Sequence, residues 1–282
     1  MPELPEVETV RRGLERIVGR HIRAVEVGRE RVVRRTSARA VIDGMTDTVV
    51  LAARRRGKYL LLPLDSGDEV MIHLRMSGQV LVRPAGSARP VHTHLVAHLD
   101  AMGDRPAEEL WFVDPRTFGE IVVFDPDRVA VEVPELARLG IDPVVDGLPV
   151  AVLRRALRSR HRLLKPLLLD QSVVCGIGNI YADEILHAAR LRPDRYSDEL
   201  SLAAERRLQA SITSVLTEAI EAGGSTLSDA QYVDLDGATG SYQDAHRVYG
   251  RTGERCPTCD VGWIRRTVSA QRSTHYCPRC QR

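Results

Sequence analysis

The chain has 282 residues, enough for two domains, and its 40 Lys and Arg nearly balance 38 Asp and Glu, for a formal charge of +2. That balance excludes a uniformly basic surface, so affinity for an acidic partner has to come from local clusters. No apolar run has the length of a signal-peptide core or a membrane span, and four of the five cysteines fall at or beyond Cys256, a pattern that favours metal over disulfides and a cytosolic setting.

Only two of the basic residues are lysines, Lys58 and Lys165, and the rest are arginines. A GC-rich genome explains the bias. A retained lysine can also mark a place where a compact, deprotonatable ammonium is needed and a planar guanidinium fails.

The first eight residues are Met1-Pro2-Glu3-Leu4-Pro5-Glu6-Val7-Glu8. With Met1 removed, Pro2 carries a free secondary amine beside the carboxylate of Glu3. Such an amine can attack an electrophilic carbon, for example a sugar C1′, and form an iminium. An α-amine is freer at neutral pH than a lysine, with reference pKa values of about 7.7–8 against about 10.4. Pro5 suits a first helical turn, and Val7, Val10, Leu14 and Ile17 recur at helical spacing, which predicts an amphipathic helix from about Pro5 to Val18. The amine would sit at that helix's positive end, with Glu3 as candidate general acid or base. The plainer reading is a frayed terminus in which Glu6 and Glu8 are ordinary first-turn acids.

From Arg20 to Arg128 short apolar runs alternate with turn residues. Strands are predicted at Ile22–Val27, Val49–Ala53, Tyr59–Leu64, Val70–Leu74, Gln79–Val82, Leu95–Leu99, Glu109–Val113 and Glu120–Phe124, with a short helix at Ala38–Met45. This is the pattern of an antiparallel sandwich. Arg54-Arg55-Arg56-Gly57-Lys58 either tracks a phosphate backbone or is a solvated strand end. His73-Leu74-Arg75-Met76-Ser77-Gly78 is a strand running into a turn, with Met76 either capping the sandwich or projecting as an apolar wedge. Asp114-Pro115-Arg116-Thr117-Phe118-Gly119 is a tight polar turn that holds one of only three phenylalanines. His92 and His94 alternate into a strand, a pattern more typical of structural or phosphate-contacting histidines than of metal ligands.

Val133–Gly147, with Pro134 and Pro143, is predicted to link two domains. Helical periodicity follows at Val150–Arg158, Leu163–Leu169, Ile180–Arg190 and Leu202–Ala222. Gly176-Ile177-Gly178-Asn179 leads into the third of these, where backbone N–H groups can approach an anion and Asn179 can cap the helix or donate to phosphate. Cys175 sits in an apolar setting and suits a buried small residue.

The tail carries the strongest spacing. Cys256, Cys259, Cys277 and Cys280 form C-x2-C-x17-C-x2-C, a four-thiolate zinc pattern that leaves no position open for water, so one structural Zn2+ is expected. Gly262–Arg266 and Gln271–Tyr276 are predicted to pair as a hairpin between the cysteine pairs. From Arg251 onward there are seven arginines and two acids. That basic character favours nucleic acid over a protein partner.

In chain order, MPELPEVE, RGKYL, HLRMSG, DPRTFG, LLKPLLLDQSVVCGIGNIYADE and QRSTHYCPRCQ resemble the bacterial formamidopyrimidine-DNA glycosylases, which excise oxidised purines. The resemblance spans nearly the whole chain. It implies an α+β multidomain fold: an N-terminal antiparallel β-sandwich with an N-terminal helix (residues 1–130), a linker (131–148), a helix–two-turn–helix domain with a lesion loop (149–237) and a four-cysteine zinc finger (238–282).

It also implies roles. Pro2 is the expected nucleophile at C1′ and Glu3 the acid that assists sugar opening. Lys58 is expected to contact phosphate and assist β-elimination, and Arg272 to contact phosphate and assist δ-elimination. His73, His92, Arg116, Asn179 and His161 (or its neighbour Arg160) are expected DNA contacts. Met76, Arg116 and Phe118 would fill the gap left by an extruded base. Lys165 matches a family lysine whose role stays open. Residues 225–243 match the family's loop over the damaged base only loosely, and Arg75 and His275 depart from the common pattern.

The expected partner is duplex DNA with oxidised bases or abasic sites, met by a cytoplasmic monomer. An endonuclease VIII-type enzyme for oxidised pyrimidines is the nearer alternative, disfavoured by the Glu-Leu-Pro start and the Arg116-Thr-Phe118 turn. A non-enzymatic zinc protein that binds damaged DNA is the alternative of a different class.

Overall fold

The computed structural model describes residues 1–227 and 232–282. The chain folds as two units. One is Met1–Arg138 with Gly223–Ser241, and the other is Leu139–Ala222 with Tyr242–Arg282. Among the described residues no helix is long and apolar enough to cross a membrane.

The first unit opens with helix α1 (Leu4–Leu14), which a short 3-10 turn at Glu15–Ile17 extends to nearly the predicted end. Its strands are β1 (His21–Val27), β2 (Thr48–Val49), β3 (Arg54–Arg56), β4 (Tyr59–Pro63), β5 (Glu69–His73), β6 (Gln79–Pro84), β7 (Thr93–Leu99), β8 (Glu108–Val113) and β9 (Glu120–Phe124), with helix α2 (Ala38–Met45) between β1 and β2. They form two antiparallel sheets, ordered β2-β1-β7-β8-β6 and β3-β4-β5-β9. The strand predicted over Val49–Ala53 is split. Thr48 and Val49 pair with β1, Val50 bridges to Leu64, and Arg54–Arg56 pair with β4, so the chain changes sheets within this stretch.

Alternation along each strand turns one set of side chains inward. Val25, Val80, Leu95 and Phe112 from one sheet meet Leu60, Leu62, Val70 and Ile72 from the other in a single apolar cluster, which α1 closes with Val7, Val10 and Leu14. Tyr232 and Leu235 of the returning segment join this core. Two short helices, α3 (Val129–Glu132) and α4 (Pro134–Ala137), lie where the linker is predicted to begin.

The second unit is built on α5 (Val150–Arg158), α6 (Leu164–Leu169), α7 (Asn179–Ala188) and α8 (Leu202–Glu221). Helix α7 is buried along nearly all its length and packs against α6, α8 and the hairpin strand β11. The hairpin comprises β10 (Arg265–Ser269) and β11 (Arg272–Tyr276), paired from Arg265↔Tyr276 to Ser269↔Arg272.

Candidate functional site

In the first unit, Pro2 and Glu3 are buried ahead of α1, and Glu3 is the helix N-cap. The Glu3 N–H donates to Glu6 Oε2 at 2.7 Å, one half of a reciprocal cap. Glu6 is 1% exposed, and its other oxygen accepts the Ser225 N–H at 2.7 Å. The Tyr232 hydroxyl donates to the Gly223 carbonyl at 3.0 Å. Gly224 has φ +79°, and a Cβ there would come within 2.7 Å of Glu6 Oε1. Glu6 therefore ties the start of the chain to the segment at Ser225, a role its reading as a first-turn acid missed. Its spacing of three from Glu3 was the available signal. Part of the expected lesion loop, residues 228–231, lies outside the described residues.

The basic run at Arg54–Lys58 does not act as one surface. Arg55 points inward, its Nε donates to Glu8 Oε2 at 3.0 Å, and its Nη1 donates to the Gly57 carbonyl at 2.9 Å. Strand alternation between Arg54 and Arg56 requires this inversion. Burial raises the Glu8 carboxyl, but hydrogen bonds from Arg11 and Arg55 outweigh it and hold the group below its ordinary value. Lys58 follows Gly57, whose φ is +56°, in the turn into β4.

His73 ends β5, 5% exposed and edge-on to Tyr59 at 4.5 Å. Burial first, then the nearby Arg75 and Lys58 cations, push its pKa well below the ordinary value. Its Nδ1 accepts the Arg75 N–H at 2.9 Å, so the neutral ring carries its proton on Nε2.

Beyond His73, Met76 is 42% exposed, and Phe118 on the other turn is 38% exposed. The Arg116 guanidinium lies 4.9 Å over the Phe118 ring. Fully buried Asp114 accepts from the Ser77 hydroxyl of the first turn and from the Gly119 N–H of the second, the latter at 2.6 Å. The two projecting turns thus share an anchor. His92 is exposed, whereas His94 is buried and bonds the Asp114 carbonyl at 2.9 Å.

In the second unit, Asn179 opens α7. Its Nδ2 reaches Ser273 Oγ at 3.5 Å, and its Oδ1 is buried without a hydrogen-bond partner among the described residues. Arg272, next to Ser273 on β11, is exposed. Lys165, 0% exposed, donates to Asp183 Oδ1 at 2.6 Å and to the Ser273 carbonyl at 2.7 Å. Asp183 Oδ2 accepts the His275 N–H at 2.8 Å and lies 3.1 Å from His275 Nδ1. Lys165 thereby pins the hairpin that carries Arg272, and the departure at His275 adds a polar contact to the same carboxylate. Glu184 accepts three successive backbone N–H groups, from Arg247, Val248 and Tyr249. Sequence reasoning missed both carboxylates. The available signal was an acidic pair inside an otherwise apolar helix. His161 is exposed, stacks on Tyr196 at 3.7 Å and bonds Asp198 at 2.9 Å.

The four tail cysteines converge. Cys256 and Cys280 Sγ are 3.7 Å apart, Cys259 and Cys277 Sγ are 3.8 Å apart, and all four lie within 4.8 Å of one another. Thiolates about 2.3 Å from a tetrahedral ion are about 3.8 Å from each other, so these residues fit one closed metal site.

Residues 1–121 match the family profile described as the formamidopyrimidine-DNA glycosylase N-terminal domain, and residues 139–231 match the H2TH domain of the same enzymes. The formamidopyrimidine-DNA glycosylase of Salinispora arenicola is 45% identical over all of this chain and 96% of its own. That of Heliobacterium modesticaldum is 43% identical, with both chains fully covered. Two crystal structures of the Lactococcus lactis enzyme, one with Fapy-dG-containing DNA and one with abasic-site DNA, superpose with TM-score 0.87 at 34% and 35% identity. Each match covers at least 99% of both chains. Sandwich, H2TH domain and four-cysteine cluster together define a DNA-repair glycosylase of the helix–two-turn–helix class. Within that class, the chain belongs to the formamidopyrimidine-DNA glycosylase family.

Proposed function

We infer that this glycosylase removes oxidised purines, such as 8-oxoguanine and formamidopyrimidines, from duplex DNA and then cleaves the strand. The observation that carries this reading is the buried Pro2-Glu3 start, held at the head of α1 by Glu6.

With Met1 removed, the Pro2 nitrogen attacks C1′ of the damaged nucleotide. The glycosidic bond breaks as Glu3 assists opening of the sugar, and the base departs with the bonding electron pair. The resulting iminium acidifies the 2′ proton. Its loss expels the 3′ phosphate in β-elimination, and a second elimination releases the 5′ phosphate.

Extrusion of the base has to precede attack. Met76 and Phe118 suit a wedge, and Arg116 can hydrogen-bond the orphaned partner base. Lys58, His73, His92, Asn179 and Arg272 supply phosphate contacts that fix position without reading sequence. His73 acts as a neutral Nε2–H donor. The four cysteines would hold one Zn2+ with no open position, and an ion so bound would cross-link the ends of the hairpin that carries Arg272 without a place for a reacting group.

Borohydride trapping on 8-oxoguanine duplex tests the nucleophile. A covalent adduct is expected, and peptide mass spectrometry should place it on the Pro2 nitrogen, whereas an adduct mapped to any other amine sinks the assignment. Faster excision of thymine glycol than of 8-oxoguanine would shift the substrate class to oxidised pyrimidines.

A further inference from the structure

Glu120, the first residue of β9, is a carboxylate only 1% exposed, and nothing in the proposed chemistry uses it. It pairs across the sheet with His73. Three arginines from two separate segments close on it. Arg35 Nε donates to Oε1 at 2.8 Å, Arg75 Nη2 donates to Oε2 at 3.4 Å, and Arg34 Nε lies 3.7 Å from Oε1. Arg35 also pairs with Glu135.

Two of these cations lead to the projecting turns. Arg75 is itself in the Met76 turn, in a left-handed conformation with φ +54°. Arg34 donates to the carbonyls of Phe118 and Gly119, at 3.1 and 3.2 Å. One buried charge therefore braces both turns from outside, where Asp114 ties them from within. An exposed apolar side chain on a free turn loses conformational entropy when it enters a base stack. A turn already fixed in place avoids that loss.

We propose that Glu120 is a positioning residue for base extrusion, joining the Met76 turn and the Arg116–Phe118 turn so that they enter the duplex as one rigid wedge. This rests on the assignment of those turns as the wedge. Loss of the carboxylate leaves Arg75 and Arg34 without a shared anchor and lets the turns move separately. The chemistry at Pro2 is untouched.

The test uses the full-length protein with Glu120→Gln, Glu120→Ala, Met76→Ala and the Met76→Ala/Glu120→Gln double variant. The readout of extrusion is stopped-flow fluorescence of 2-aminopurine placed beside the lesion in duplex DNA. Misplacement by about 1 Å can cost about a hundredfold. Glu120→Ala should slow this phase by about 10- to 100-fold and Glu120→Gln by less. Cleavage of an abasic site in a single strand, which needs little unstacking, should stay within about twofold of wild type, which separates loss of positioning from loss of fold. Should Glu120→Ala fail to fold, Glu120→Gln carries the same comparisons. In the Met76→Ala background, adding Glu120→Gln should cost less than it does alone, because the two act through one element.

A wild-type fluorescence phase in Glu120→Gln, equal slowing on single-stranded abasic DNA, or full additivity with Met76→Ala would overturn the role of Glu120. A wild-type phase in Met76→Ala would instead overturn the wedge reading on which it rests.

Discussion

The sandwich and the C-terminal hairpin both present candidate DNA contacts from turns, but the cores beneath them differ greatly. Under Met76, Arg116 and Phe118 lies an apolar cluster that draws on α1 and both sheets. At the open end of the hairpin that carries Arg272, the buried cluster among the described residues holds Val248, Ile264 and two of the cysteines, Cys256 and Cys277. A core that small does not hold a fold without staples. Lys165 and Asp183 tie the hairpin at Ser273 and His275, Glu184 holds the Arg247–Tyr249 segment that precedes it, and the four cysteines lie together where a metal ion would fit. The sandwich is therefore expected to tolerate the loss of a polar group near its turns better than the tail module does.

Metal removal should break the comparison most sharply. Apparent binding free energies of structural zinc in small modules run to about 10–16 kcal/mol. Chelation or Cys256→Ser should unfold the tail and lower affinity for abasic-analogue duplex by at least about a hundredfold, while the sandwich keeps its β-sheet circular dichroism. Fluorescence anisotropy and circular dichroism on the same samples check both halves. Unchanged affinity after verified metal loss would show that the hairpin stands on its remaining contacts.

The Lys165–Asp183 pair comes next. Removing one partner of a buried ion pair typically costs about 3–5 kcal/mol, because the other charge is left uncompensated. Lys165→Met should destabilise the chain by that order and weaken duplex binding through displacement of the Ser273 carbonyl. Lys165→Arg should not rescue it, since the larger planar fork would have to enter a fully buried position where a compact ammonium bonds Asp183 and the Ser273 carbonyl. Urea unfolding and anisotropy are the measurements. Full rescue by arginine would refute the idea that this lysine survives in an arginine-rich chain because of its shape.

Which of these features the sequence disclosed follows from the range of each interaction. Helix α2 and strand β9 occupy the predicted residues, because period and caps are local. The cysteine cluster was legible because its spacing carries its own chemistry. What escaped was pairing over long separations: Glu8 with Arg55, Glu6 with Ser225, Glu184 with Arg247–Tyr249, and Glu120 with Arg34, Arg35 and Arg75. Each of these acids looks like an ordinary surface charge until the fold buries it. Arg55 was the recoverable miss, since alternation within Arg54–Arg56 already demanded one inward arginine.

The smallest effect belongs to the sandwich, and it sharpens the contrast by its modesty. His73 is held neutral, mainly by burial, with a pKa well below the ordinary value of 6.5. An unfolded chain binds a proton there once the pH falls below about 6.5, and the folded one resists it. The stability this residue contributes is present above that value and is lost as the pH falls toward the folded pKa. One proton limits the slope to about 1.4 kcal/mol per pH unit. His73→Phe should flatten stability against pH between 6.5 and 5.5 in urea unfolding and leave the sandwich folded, since the ring packs edge-on to Tyr59 in either case. An unaltered slope would mean that His73 is protonated in the fold, and its Nδ1 would then have to give up the Arg75 N–H.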